Sequence, residues 1–291
     1  MIPTPPLPFT NPKVRQLVAY FILGMIAAVI VLFGVGAVLG LPVEDPLWIM
    51  LIYIGMFIGL SGWLWKALAF NGIAPQWVIG QVPRSPRWGI WIGVMLGVLV
   101  FSFASFVVLM GGLSYVAPAF VSQYLRALET DTTTNSQYPG LYQLVLAIAA
   151  LIVAPITEEW LFRGFILQRW SVKWNLPVAL VVSSILFGCL HSNPIGLTMF
   201  GLVMGVLYVK TRSLVVAIGA HGFNNAIAFG LPLLVQNPTP TTLEVLRRSL
   251  PVGMFLTFTV GAGLLWYLWK NFPRKETLPP YVANAEAIHE I

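Results

Sequence analysis

The chain has 291 residues, 58% of them hydrophobic and only 9% charged, with a formal net charge of +6. Soluble domains carry about a quarter charged residues and disordered chains are poor in apolar side chains, so both classes are excluded. The single cysteine, Cys189, excludes an internal disulfide and a cysteine-based metal cluster.

A mean hydropathy of +0.83 and long unbroken apolar runs point to an all-α membrane protein, a polytopic bundle of about eight transmembrane helices. Alternating ten-residue segments, the mark of a membrane barrel, are missing. In chain order, a proline-rich cytoplasmic segment (1–16) precedes spans at 17–40, 47–71, 88–116, 141–168, 177–191, 196–210, 213–235 and 250–270. The first run lacks a polar cleavage region and reads as a membrane helix, not a removed signal. Spans five and six are short for a core about 30 Å thick, and short spans flanked by Pro and Gly sit beside protein-lined cavities. Residues 17–140 thus hold three helices and their loops, 141–235 a polar-bearing core, 236–275 an outer loop and the last helix, and 276–291 a polar cytoplasmic tail read as disordered. Residues 117–140 form the longest outside loop and read as a link. Small-residue stripes at Gly89, Gly93 and Gly97, and at Gly201 and Gly205, predict close helix packing.

Basic residues set the orientation. With the N-terminus cytoplasmic, thirteen Lys and Arg lie at cytoplasmic ends and three, Arg126, Arg247 and Arg248, on the other side. That asymmetry places both termini in the cytoplasm.

Intramembrane polar groups cost about 2.5–3.5 kcal/mol per central charge on insertion scales and so mark function. The set here is small: Glu158, Glu159, Arg163, His191, His221 and the amide Asn225. Arg163 follows Glu159 by four residues, so the two share a helix face. Glu158 is rotated about 100° from that face and stays free of the pairing. Pro155 removes a hydrogen bond to the Leu151 carbonyl just above the acidic pair. His221 and Asn225 share a face at i, i+4, and Phe187 sits one turn before His191. Counted from the cytoplasmic ends at about 1.5 Å per residue, Glu158, His191, His221 and Asn225 fall within a layer about 10 Å thick near mid-bilayer.

Two chemistries fit a carboxylate and two imidazoles at one depth. Glu158 acts as general base on water, with His191 sharing the proton and His221 and Asn225 donating to an oxyanion. Alternatively Glu158, His191 and His221 bind zinc. No HExxH is present, so the metal-free route is favoured. Plainer readings stand beside each residue. Glu158 as a structural carboxylate, Glu159 and Arg163 as an orienting ion pair, His191 as an interface cap and Asn225 as interhelical glue remain open, and Asn224 could replace Asn225. Phe187 reads as packing.

The ordered motifs EExxxR (Glu158, Glu159, Arg163), FxxxH (Phe187, His191) and HxxxN (His221, Asn225) resemble the CPBP family of intramembrane proteases. That family includes the CAAX prenyl endopeptidases and the bacterial Abi-type proteins. The resemblance covers about residues 141–235. It implies a glutamate-dependent peptide-bond hydrolase in which Glu158 activates water with His191 assisting, Glu159 and Arg163 support, and His221 and Asn225 face the oxyanion. It leaves metal content open, implies a membrane-associated peptide or protein substrate and the bilayer as partners, and involves no nucleic acid. A non-proteolytic scaffold or bacteriocin-immunity protein is the competing reading. A proton-coupled transporter is a weaker third, because no internal repeat is found.

Overall fold

The computed structural model describes residues 9–39, 43–84, 87–132, 136–233 and 241–289. Those residues form helices joined by short turns, and no strand occurs among them. The helices are α1 (Val14–Leu39), α2 (Pro46–Phe70), α3 (Pro75–Ile79), α4 (Trp88–Val116) and α5 (Pro118–Thr132). They continue with α6 (Pro139–Lys173), α7 (Leu176–Cys189), α8 (Pro194–Thr211), α9 (Leu214–Leu233), α10 (Leu243–Asn271) and α11 (Pro280–His289). Seven are long and apolar enough to cross a membrane, and the chain is an integral membrane protein. The eighth expected span is α7, whose 14 residues rise only about 21 Å. It pairs with α8 as a hairpin whose turn holds His191.

Capping residues set the helix starts. Asp45, Asn175, Asn193 and Thr242 each accept a backbone N–H from the first turn of α2, α7, α8 and α10. Proline follows in α2, α7 and α8, where its missing N–H costs nothing. At the far end of α8, Arg212 adopts the left-handed conformation that stops the helix.

α8 is the most enclosed membrane helix and α1 the least. α10 lies along α4, α8 against α7 and α4, α9 against α6 and α8, and α2 against α6. Ile26, Ile30 and Phe33 of α1 stay exposed, as a lipid-facing helix requires. The α7–α8 contact depends on missing side chains. A Cβ on Gly201 would come within 2.9 Å of the Ser184 Cβ, and one on Gly188 would overlap Thr198 and the Pro194 backbone. The Gly201 and Gly205 stripe therefore packs as expected. Of the other stripe only Gly97 touches a neighbour, Leu264, whereas Gly89 and Gly93 face open space.

Two segments differ from the sequence reading. The outside link is largely helical: Val121 and Leu125 of α5 bury against Met110 and Leu246. Much of its polar run lies outside the described residues, as does most of the outer loop before α10 and the start of the N-terminal segment. The tail read as disordered forms α11, with Tyr281, Ala283 and Ala285 buried. Alternating small and apolar residues gave it a docking face too short to register as a periodic pattern. The Tyr281 hydroxyl accepts the Phe9 N–H at 3.2 Å, and Asn284 donates to the carbonyls of Trp77 and Arg212. Burial pushes the Tyr281 phenol above its ordinary value, and the bond from Phe9 pulls it back in part.

Asp45 joins two helix starts by accepting the N–H groups of Leu47 at 2.9 Å and Gln137 at 2.7 Å. Burial raises its pKa, but the bonds from Leu47, Ser136 and Gln137 together hold it below the ordinary 3.8. A depressed carboxyl stabilises the fold above its unfolded value and loses that contribution as pH falls through the folded one. Protection from hydrogen exchange at the start of α6, taken relative to the intrinsic rate at each pH, is therefore expected to fall as pH drops below 3.8, and Asp45→Ala should remove that dependence. Gly201→Leu is expected to lower stability by about 1–3 kcal/mol through overpacking, read as a fall in the melting temperature of the purified protein.

Candidate active site

The acidic pair sits on α6 between two π-helical stretches, Ala149–Val153 and Trp160–Leu167. Ala154 donates its N–H to the Ala149 carbonyl, one residue further back than an α-helix allows. This widened turn precedes Pro155, which has no N–H to offer. π turns of this kind concentrate at functional sites.

Adjacent residues on such a helix point to different sides, and the two carboxylates meet different surroundings. Glu159 has no exposed surface. Its Oε1 accepts Arg163 Nη1 at 2.8 Å and meets His221 Nδ1 at 2.8 Å. Arg163 also donates from Nη2 to the Gly201 carbonyl at 3.3 Å. Its guanidinium lies 4.7 Å above the Phe187 ring. A carboxylate at this distance accepts, so His221 carries a hydrogen on Nδ1 and turns Nε2 away from Glu159.

His191 is oriented in the same manner. Its Nδ1 meets the Phe187 carbonyl at 2.6 Å. A carbonyl can only accept, so a hydrogen sits on Nδ1 and Nε2 is the nitrogen left facing the site. Both Nε2 atoms face Glu158: His191 at 3.8 Å and His221 at 3.9 Å from Oε2. The structure thus brings together Glu158, Glu159, Arg163, His191 and His221 from α6, the α7–α8 turn and α9. The His191 side chain is 31% exposed and that of Glu158 12%, so the opening lies on the His191 side. Phe162, Phe187 and Phe200 wall the site. Phe187 lies 4.4 Å from the His191 ring and Phe200 4.8 Å from the His221 ring. Phe187 is therefore packing that also contacts the Arg163 guanidinium and the His191 ring.

Asn225 stands further off. Its amide donates to the Ala150 carbonyl at 2.9 Å, tying α9 to the first π stretch. Asn224 and Asn225 both line a cavity of about 390 Å³ with Ser102, Asn193 and Phe200. The Asn224 Oδ1 is buried without a partner. Cys189 is exposed.

Tyr53 of α2 was not visible as a site residue in the sequence. Its hydroxyl donates to Glu158 Oε1 at 3.4 Å. A tyrosine in an apolar span reads as an anchor or as packing. Its value here comes only from the contact of α2 with α6.

Tetrahedral zinc with bonds of about 2.0–2.2 Å needs donor atoms about 3.4 Å apart. The Glu158 to histidine separations of 3.8 and 3.9 Å exceed this. Among the described residues no group of three His, Cys, Asp or Glu is gathered to hold a metal ion. The zinc alternative therefore has no support from this geometry.

Residues 140–227 match the family described as Type II CAAX prenyl endopeptidase Rce1-like. The Bacillus subtilis (strain 168) protein named "Uncharacterized protein YyaK" is 30% identical over 172 residues, 51% of this chain and 57% of that protein. "Putative membrane peptidase YdiL" of the same organism is 26% identical over 144 residues, 47% of this chain and 58% of that protein. The chain thus spans between half and two thirds of the length of these relatives. No solved structure matches the chain.

Removing one partner of a buried ion pair costs about 3–5 kcal/mol. Arg163→Ala should therefore lower the melting temperature sharply. Arg163→Lys should recover only part of the loss, because an ammonium lacks the fork that reaches both Glu159 and Gly201.

Proposed function

We propose that this chain, whose residues 140–227 belong to the Rce1-like family, is an intramembrane endopeptidase. It hydrolyses a peptide bond of a membrane-associated protein or peptide, with Glu158 activating the water. The observation that carries this reading is the Glu158 Oε2 facing the Nε2 atoms of two imidazoles at 3.8 and 3.9 Å. Those separations are longer than direct hydrogen bonds.

Each side chain then has a task. Glu158 takes a proton from water, and the hydroxide oxygen bonds to the scissile carbonyl carbon. The carbonyl becomes an oxyanion. Collapse of that intermediate breaks the carbon–nitrogen bond, and the proton held by Glu158 and shared with His191 passes to the leaving amine. A carboxylic acid and an amine result. His221, held at Nδ1 by Glu159, faces the oxyanion with Nε2 and donates to it through a proton taken up there from solvent before attack and returned to solvent after collapse. Asn225 has a second amide hydrogen available for the same oxyanion. Arg163 holds Glu159 in place. No step requires a metal.

The charge asymmetry of the loops supports both termini in the cytoplasm. The even number of membrane elements, counting α7, agrees with that placement. The family description names prenyl endopeptidases, so a prenylated C-terminal peptide is the first substrate class to try. The non-proteolytic scaffold reading draws on one contact: Asn225 spends an amide hydrogen on the Ala150 carbonyl, as interhelical glue would.

The deciding assay uses purified protein in detergent with a farnesylated CAAX-type fluorogenic peptide and its unlipidated twin. Cleavage is expected to survive a strong chelator and to fall by at least about 100-fold in Glu158→Gln, the scale of one general base. Undiminished cleavage by Glu158→Gln would sink the mechanism. Full biological function of that variant in cells would favour the scaffold.

A further inference from the structure

We infer that Tyr53, on a helix outside residues 140–227, is a positioning residue that orients the Glu158 carboxylate through Oε1. The inference rests on Glu158 acting on water. The two oxygens of Glu158 have different neighbours. Oε2 faces His191 and His221, while Oε1 accepts the Tyr53 hydroxyl at 3.4 Å. Among the described residues no other hydrogen bond reaches this carboxylate. Nothing else therefore fixes its rotation about the Cγ–Cδ bond. A carboxylate free to turn would present Oε2 to the histidines only part of the time.

The phenol itself is held firmly. Its ring packs tilted against Phe57 with centroids 4.6 Å apart, and Phe57 meets Phe21 of α1 at 6.1 Å. Two turns further along, α2 is anchored to α6 again: Trp160 Nε1 donates to the Ser61 carbonyl at 3.3 Å, and Trp65 lies 5.6 Å from Trp160. The donor thus comes from a helix pinned to α1 and to α6 just beyond the contact. A contact of 3.4 Å is long for a hydroxyl donor. Catalytic hydrogen bonds are commonly long in the resting site and tighten when substrate binds.

Tyr53→Phe removes the hydroxyl and keeps the ring, so a packing role would survive it. With the farnesylated peptide, kcat is expected to fall about 10- to 100-fold, the scale of a misplaced catalytic group. KM should stay within about twofold, since ground-state binding is untouched. The melting temperature should not change. Incorporating 3-fluorotyrosine at position 53 restores a hydroxyl and should restore kcat.

A second readout needs no substrate. Dicyclohexylcarbodiimide attacks membrane carboxyls, and mass spectrometry reads its adduct on Glu158, with Glu158→Gln as the blank. Freed of the phenol, Glu158 should be labelled several-fold faster in Tyr53→Phe. Equal labelling rates overturn the assignment, and so does an unchanged kcat in Tyr53→Phe. If the wild-type protein cleaves neither peptide, a labelling difference still upholds the grip of Tyr53 on Glu158, and it is the hydrolase reading that falls.

Discussion

A carboxylate with no access to water holds the centre of this protein together. Glu159 Oε1 is shared by Arg163 of its own helix and His221 of α9, each at 2.8 Å. A charge buried so deeply is tolerable only when it is paired and hydrogen-bonded. That requirement fixes the rotation of α6, the approach of α9 and the tautomer of His221 at once. The guanidinium reaches on to the Gly201 carbonyl and the face of Phe187, so α7 and α8 are tied to the same charge.

Two adjacent glutamates can do different jobs because a helix turns about 100° per residue. Glu159 points into protein and is neutralised there. Glu158 points to the partly open side, where the Tyr53 hydroxyl and the two imidazoles meet it. The π stretches on either side of the pair adjust this aim and absorb the missing donor of Pro155. The short α7 matters for the same reason. A full-length span would have continued past His191, whereas the early turn brings that ring back beside Glu158.

The surrounding helices serve the centre at a distance. Asp45 fixes the start of α2 against the start of α6, and α2 carries Tyr53. At the opposite end, α11 docks on the N-terminal segment, α3 and the turn after α8. Both chain ends therefore brace the helices that bear the polar residues. These contacts cross long stretches of sequence and involve residues of ordinary type, which is why the tail looked like a solvated end.

The sequence by itself determined the membrane class, most helix positions and the short list of polar residues. Each follows from composition and local spacing: the cost of charge in lipid leaves few exceptions, and those exceptions stand out. The Glu159–Arg163 pair was legible because i, i+4 contacts are built into a helix. The tertiary structure alone decided that His221 shares Glu159, that both Nε2 atoms converge on Glu158, and that Asn225 reaches back to Ala150. It also revealed Tyr53 and the docked α11. These depend on how separate helices rotate and cross, which packing and buried hydrogen bonds fix and which no spacing along one chain segment encodes.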